Sequence, residues 1–266
     1  RMTLTCYVVD AFTDQLFHGN PAAVVPLDAW LPDSLLQSIA AEHNLAETVY
    51  FVPSPDGYEI RWFTPVTEVD LCGHATLAAG FIIEQFLDPL ASSIRFLSKS
   101  GTLGLDIAGG VYTLDFPSRP ASPIHPDEHL LDGLNLAPSL VLAARDYLAV
   151  YDSASQVRSL TPDMLALSRI HRFAVIATAP ADEPGIDFVS RFFAPAQGVP
   201  EDPVTGSAHS TLIPYWAVVL GKSQMVARQV SARGGELHCA LAGDRVRIGG
   251  RAVLYSKSEI YLPSHS

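Results

Sequence analysis

The sequence predicts an α+β protein of two pseudo-symmetric halves, each curling a sheet around one apolar central helix. Three observations predict it. The strand Arg61-Trp62-Phe63-Thr64-Pro65 returns as Arg191-Phe192-Phe193-Ala194-Pro195. After each copy an acidic, irregular loop leads into a Gly-x-Ala helix start, at Gly73 and at Gly206. The copies stand about 130 residues apart, far too long for a solenoid repeat and suited to a duplicated domain. Both helices are apolar on nearly every face, so each is expected inside its own sheet.

The elements follow in order. LPDSLLQSIAAEHN places apolar residues at Leu35, Leu36, Ile39 and Ala40, a helical face with Pro32 and Asp33 at its start. TVYFVPSP and YEIRWFTP read as strands, the second closed by Pro65. Gly73 precedes the helix ATLAAGFIIEQF, and GTLGLDIAGGVYTLDFP reads as a hairpin about Gly109-Gly110. In the second half TPDMLALSRIH reads as a short helix with Thr161 as N-cap and Pro162 at its first position. RFAVIATAP and DFVSRFFAP are strands, and Gly206 opens SAHSTLIPYWAVVLG. VARQVSARGGELHCALAGDRVRIGG gives strands with turns at Gly234-Gly235 and Gly243-Asp244. Pro120 to Leu134 reads as loop. The halves are drawn at residues 2–118 and 119–266, with terminal strands free to cross over. Arg1, ahead of Met2, is read as an added residue.

Composition bounds the function classes. Of 266 residues, 48% are hydrophobic and 17% charged, which suits packed cores and excludes disorder. The formal net charge of -11 leaves no basic footprint for nucleic acid or for an anionic membrane surface. No apolar run approaches the roughly 18 residues of a membrane span, and no leader is read at the start. Cys6, Cys72 and Cys239 have no short spacing, which favours a reducing cytoplasm over a disulfide framework and excludes a cysteine-based zinc knuckle. The histidines are read as holding no HxxxH or HxH pair, so no metal is expected, and the lack of a GxGxxG or P-loop leaves no nucleotide cofactor expected. Ser207 lies in TGSAH and not in a GxSxG elbow, which argues against a hydrolase triad.

The chemistry is expected at the helix mouths. A helix start leaves its first amides unpaired and carries partial positive charge, and glycine there lets a ligand approach the backbone. Gly73, His74, Gly206 and Ser207 hold that place, and two such mouths would line a cleft for a small anionic substrate. Glu47 leads into the apolar run Thr48 to Val52. On spacing alone it reads as a solvated strand-start carboxylate, although the matching strand RFAVIATAP carries no acid. His74 alone reads as a satisfied helix-start histidine, Asp202 as an acidic cap, Glu201 as surface, and Asn20 of GNP as a turn residue. Cys72 reads as a small buried hydrophobe.

FxGNPAAVV (Phe17 to Val25), NLAETVYF (Asn44 to Phe51), FTPxxEVDLCGHATLAA and EDPVTGSA together closely resemble the PhzF-like phenazine-biosynthesis family of the diaminopimelate epimerase superfamily. The resemblance spans essentially the whole chain. It implies a diaminopimelate epimerase-like fold with the active site between the halves, homodimers, and cofactor-independent movement of a proton on a small carboxylate-bearing substrate. The member that gives the family its name isomerises dihydro-3-hydroxyanthranilate. By this resemblance Glu47 is the general acid/base, His74 and Asp202 are catalytic partners, and Asn20, Gly73, Gly206 and Ser207 contact substrate. Superfamily racemases use two cysteines, one at each mouth. Here Cys72 holds the first place and Thr205 the second, so two-base racemisation is not expected, while a one-base dehydratase using Cys72 stays open. A non-catalytic small-molecule-binding protein is the third reading, though the acid and both mouths are intact.

Overall fold

The computed structural model describes residues 2–263, and Arg1 lies outside them. The chain forms two units, one of Arg1–Asp115 with Gly249–Ser266 and one of Phe116–Ile248. Sequence patterning draws its line near residue 118 and leaves the terminal strands free to cross. The chain from Gly249 onward sits with the first unit.

The first unit contains β1 (Met2–Ala11), β2 (Asn20–Pro26), α1 (Asp33–His43), β3 (Glu47–Ser54), β4 (Gly57–Phe63) and β5 (Glu68–Val69). It continues with α2 (Gly73–Ile82), β6 (Ser93–Ser98), β7 (Gly101–Ala108) and β8 (Val111–Pro117). The second contains β9 (Ser122–Pro123), α3 (Glu128–Leu134), β10 (Leu140–Ala143), β11 (Tyr147–Val150), α4 (Ala154–Ser159), α5 (Met164–Leu167), β12 (Val175–Pro180), β13 (Phe188–Ala194) and β14 (Val199–Asp202). Then come α6 (His209–Leu220), β15 (Gln224–Gln229), β16 (Gly235–Ala242) and β17 (Arg245–Gly250). The last strand, β18 (Ala252–Leu262), pairs antiparallel with β1.

The duplication is written in the strand pairing. In the first unit β1–β2 is antiparallel, β2–β3 parallel, β3–β4 antiparallel, β4–β6 parallel and β6–β7 antiparallel. In the second, β10–β11, β11–β12, β12–β13, β13–β15 and β15–β16 run through the same five alternations. The repeated Arg-x-Phe is explained by what it holds. Arg61 reaches Glu68 through two hydrogen bonds of 2.7 Å, and Arg191 reaches Glu201 at 2.8 and 3.0 Å. Each guanidinium also lies over the phenylalanine two residues on, 5.2 Å from Phe63 and 4.9 Å from Phe193. A bidentate arginine stacked on a ring is a rigid clasp. Both clasps pin the loop that runs into a central helix. Glu201 is therefore a half-buried ion-pair partner and not the surface acid read from the sequence.

Every residue of α2 is buried, as a helix apolar on all sides demands. The matching expectation for α6 fails in its last turn. Leu212, Ile213, Trp216 and Ala217 are buried, but Val218 is 82% and Val219 54% exposed. At the predicted hairpin Gly109 and Gly110 have φ of 58° and 74°, and a two-residue turn needs such left-handed residues. Two local expectations need correction. Helix α5 is capped by Asp163 and not by Thr161 and Pro162, because the Asp163 carboxylate accepts from the amides of both Leu165 and Ala166. The stretch from Pro120 to Leu134 is not all loop, since Asp127 accepts from the Leu130 amide and starts α3. Among the described residues no helix is long and apolar enough to cross a membrane.

Candidate active site

In the first unit, β2, β3 and the start of α2 assemble the candidate residues. β2 and β3 run parallel with Ala22 opposite Glu47, so Asn20 and Pro21 precede the level at which β3 begins. Asn20 is fully buried at the start of β2, and Glu47 is the first residue of β3. Cys72 is the N-cap of α2, with extended backbone and no side-chain cap bond. Gly73 and His74 form the first turn, both buried.

His74 is the centre of this group. Its Nδ1 is 3.3 Å from the Cys72 sulfur, and its Nε2 is 3.2 Å from Glu47 Oε2. The carboxylate and ring are adjacent without the alignment of a direct hydrogen bond. The ring also bonds the backbone of Pro21, which has no N–H and therefore accepts. Burial pushes the His74 pKa down to about 3, so the ring is neutral at ordinary pH. A neutral imidazole carries one proton. With that proton given to Pro21, the bare nitrogen faces either the thiol at Nδ1, which can lend it a hydrogen, or the Glu47 carboxylate at Nε2, which could do so only once protonated. Thiol, imidazole and carboxyl thus form a line of proton-handling groups in a water-poor setting.

The mouth itself is braced from beneath. Thr76 Oγ1 donates to the Cys72 carbonyl at 2.6 Å and accepts from Trp62 Nε1 at 3.1 Å. The second unit repeats the brace with a different side chain. His209 Nδ1 lies 2.8 Å from the Thr205 carbonyl, and because that oxygen only accepts, the ring proton is on Nδ1. Thr205 is extended like Cys72, with φ and ψ of -122° and 99° against -145° and 114°. Gly206, Ser207 and Ala208 make a 3-10 turn leading into α6. Asp202 accepts from Thr205 Oγ1 at 2.5 Å, and Gln229 binds the Thr205 amide, the Asp202 carbonyl and Thr205 Oγ1 at 2.8, 2.9 and 3.1 Å. Ser207 meets none of these. Its hydroxyl is 3.4 Å from Arg145 Nη2.

The structure therefore brings Asn20, Glu47, Cys72, Gly73 and His74 together in one unit. In the other it gathers Asp202, Thr205, Gly206 and Ser207. Sequence reasoning passed over Gln229, His209 and Arg145. His209 alone was legible, four residues after Thr205 as Thr76 is four after Cys72. Histidine spacing also holds one pair four apart, His125 and His129, against the expectation of none. His125 precedes α3, so that spacing does not place both rings on one helical face. Among the described residues Glu47, Cys72 and His74 are the group that brings three potential ligand atoms within 4.8 Å. Thiol and carboxylate meet opposite nitrogens of the ring, which suits a proton line better than a single ion.

The sequence profile of the family described as phenazine biosynthesis-like protein matches residues 9–258, nearly the entire chain. The chain belongs to this family. An uncharacterized isomerase of Pseudomonas aeruginosa is 46% identical across 98% of this chain and all of its own. A crystal structure of a PhzF-family protein from Enterococcus faecalis is 42% identical and superposes with a TM-score of 0.95 over 98% of this chain and 100% of its own. A hydroxyproline epimerase from Agrobacterium vitis, 11% identical, shares the fold at a TM-score of 0.60 over 97% of this chain and 92% of its own. With its PhzF-like relatives the chain is an isomerase-type enzyme with an epimerase-like fold.

Proposed function

We propose that this PhzF-like protein isomerises a small carboxylate-bearing compound by moving a proton between carbon atoms, with Glu47 as general acid and base. The observation that carries the reading is the placement of the Glu47 carboxylate 3.2 Å from a buried, neutral His74. In the forward half, Glu47 takes a proton from a carbon activated by neighbouring unsaturation or carboxylate. The electron pair left behind spreads into that system. Glu47, now a neutral acid, returns the same proton to a different carbon on the same face, so no atom is gained or lost. His74 supports the cycle because a bare imidazole nitrogen accepts from a protonated carboxyl, and a protonated imidazole at pKa about 3 would not compete for the proton. The unpaired amides at Gly73, where α2 begins, supply donors for developing negative charge.

Deuterium uptake tests this. The protein is incubated in D2O with dihydro-3-hydroxyanthranilate and a panel of cyclic amino and hydroxy acids, and exchange at carbon is read by mass spectrometry. Uptake lost in Glu47→Gln supports the assignment, and equal uptake in that variant overturns it. A second reading rests on the 3.3 Å contact between Cys72 and His74 Nδ1, which gives the thiol a proton acceptor. In it Cys72, its own proton passed to His74, takes a proton from carbon, and the proton held on His74 goes to the departing hydroxyl, which leaves as water. Turnover abolished by Cys72→Ala would select this dehydratase, whereas the Glu47 mechanism survives that change.

A further inference from the structure

Asp10 lies outside the sequence motifs and takes no part in the Glu47 chemistry, yet near the end of β1 it is only 3% exposed. A buried carboxylate is costly to a fold unless hydrogen-bond donors meet it. One donor here is the amide of Phe17, 2.9 Å from Asp10 Oδ2. The bond closes the turn that joins β1 to β2 and ends at Asn20, the first residue of β2.

That turn is built under strain. Phe12 and Phe17 have φ of 62° and 73°, the left-handed region that bulky side chains avoid. Such residues persist where their surroundings over-determine them, and they gather at functional sites. Gly19 follows at φ 66°, so close to β1 that a Cβ there would overlap the Ala11 carbonyl oxygen. Pro21, the cross-strand partner of Asp10, has no amide hydrogen to give either neighbouring strand. The Asp10 side chain supplies a hold at the entry to β2 where the ladder lacks a donor. The consequence runs to the site. The Pro21 backbone accepts from the His74 ring, whose Nε2 is 3.2 Å from Glu47 Oε2. The next residue, Ala22, is the partner of Glu47 on β3. A shift of the turn therefore moves the acceptor that orients the ring.

We infer that Asp10 is a positioning residue. Its carboxylate holds the β1–β2 turn, the turn fixes the Pro21 carbonyl, and that carbonyl selects the orientation and tautomer that His74 presents to Glu47. The tautomer of a neutral histidine is set by the partners its two nitrogens meet, so a displaced acceptor frees the ring to change which nitrogen carries the proton. The effect on catalysis rests on the Glu47 reading, whereas the turn and the tautomer are read without turnover.

The test compares the native chain with Asp10→Asn, which keeps an acceptor oxygen, and Asp10→Leu, which has none. Nitrogen NMR of histidine-labelled protein reports the ring, with His74→Phe to identify its signal. Amide exchange reports the turn, and deuterium uptake by dihydro-3-hydroxyanthranilate reports the rate. The native protein should show one neutral His74 tautomer and a Phe17 amide that exchanges more slowly than exposed loop amides. Asp10→Leu should populate both tautomers and lose that protection. Its kcat should fall roughly 10- to 100-fold with KM changed by less than about 3-fold, the pattern of a misplaced catalytic group. Asp10→Asn should keep the single tautomer and most of kcat. A single native tautomer in Asp10→Leu would overturn the inference, whatever the rate does, because a merely structural role leaves the folded ring unchanged. Asp10→Asn as impaired as Asp10→Leu would overturn it too. Should Asp10→Leu fail to fold, the native Phe17 amide decides, since exchange as fast as that of an exposed loop overturns the hold. Native uptake in Glu47→Gln would sink the Glu47 reading alone, and the tautomer and amide measurements would still decide this one.

Discussion

Glu47 and His74 are adjacent in space though 27 positions separate them, and the proposed proton transfer rests on that pair. A carboxylate in water gives up its proton too readily to hold one between two carbons. In the proposed cycle the buried neutral ring, 3.2 Å away, is the group placed to receive a hydrogen from Glu47 once it is protonated. Glu47→Gln is expected to lower deuterium uptake by about 10²- to 10⁴-fold, the usual contribution of a positioned acid/base. His74→Phe keeps the ring's bulk but removes its nitrogens, and a loss confined to KM would contradict its place in proton transfer. Because burial holds His74 at about 3, native activity should show no ionisation of this ring between pH 5 and 8. A pH profile whose limb near 6.5 vanishes in His74→Phe would refute that.

The element that matters most is the braced helix mouth. Thr76 satisfies both the Cys72 carbonyl and the Trp62 indole N–H, and all three residues are buried. Thr76→Val matches the shape and orphans the Trp62 indole N–H, while the Cys72 carbonyl keeps the backbone amide of residue 76 at 3.1 Å. It should destabilise the protein by about 2 kcal/mol, read from the urea midpoint, as expected for an unsatisfied buried group. His209 does the same work for Thr205 in the second unit. The clasps are a second device at this scale. Arg191 also donates to the carbonyls of Val157 and Leu160 at 3.1 and 2.8 Å, so it ties α4 to the strand that feeds the second mouth. Arg191→Met should therefore loosen β14 and α4 together, visible as faster amide exchange in both. Protection lost in one element alone would show that the clasp does not couple them.

At the scale of the whole molecule, the two buried histidines set the response to acid. His74 and His209 have pKa values pushed down to about 3 and about 4, each chiefly by burial. Both rings are neutral in the fold, whereas the unfolded chain protonates them near pH 6.5. The unfolded state thus binds more protons, and stability falls as pH drops from about 6.5 toward 4. The slope is about 1.4 kcal/mol per pH unit for each ring. Urea midpoints should be level above pH 7 and decline between pH 6 and 5, and a level midpoint there would refute the linkage. Packing gives a separate prediction. A methyl group on Gly250 would overlap the ring of the fully buried Phe12, whose own φ of 62° leaves it little room to shift. Gly250→Ala should cost about 1–3 kcal/mol, the range for overpacking, and a native melting temperature in that variant would contradict it.

How much of this was legible beforehand depends on whether a feature is local. The echo of Arg-x-Phe and Gly-x-Ala is printed in the sequence, so the duplicated α+β fold, the two central helices and the residues at their mouths could be read from it. The resemblance carried by GNPAAVV, NLAETVYF, CGHATLAA and EDPVTGSA reached Glu47 in the same way. Other features are properties of neighbours far apart in the chain, and no period or motif reports them. Gln229 enters the Asp202–Thr205 network because β15 pairs with β13, and Arg119 meets the first turn of α6 across more than ninety positions. The short helix α3 escaped, and the start of α5 was placed two residues early, because a single aspartate cap decides each over only four to seven residues. Sequence alone determined the repeated elements and the residues that stand at the two helix starts, since backbone and burial patterns are repeated locally. Tertiary structure alone decided which charges are paired, which ring is neutral and which buried carboxylate holds a turn, because burial and distance set those energies.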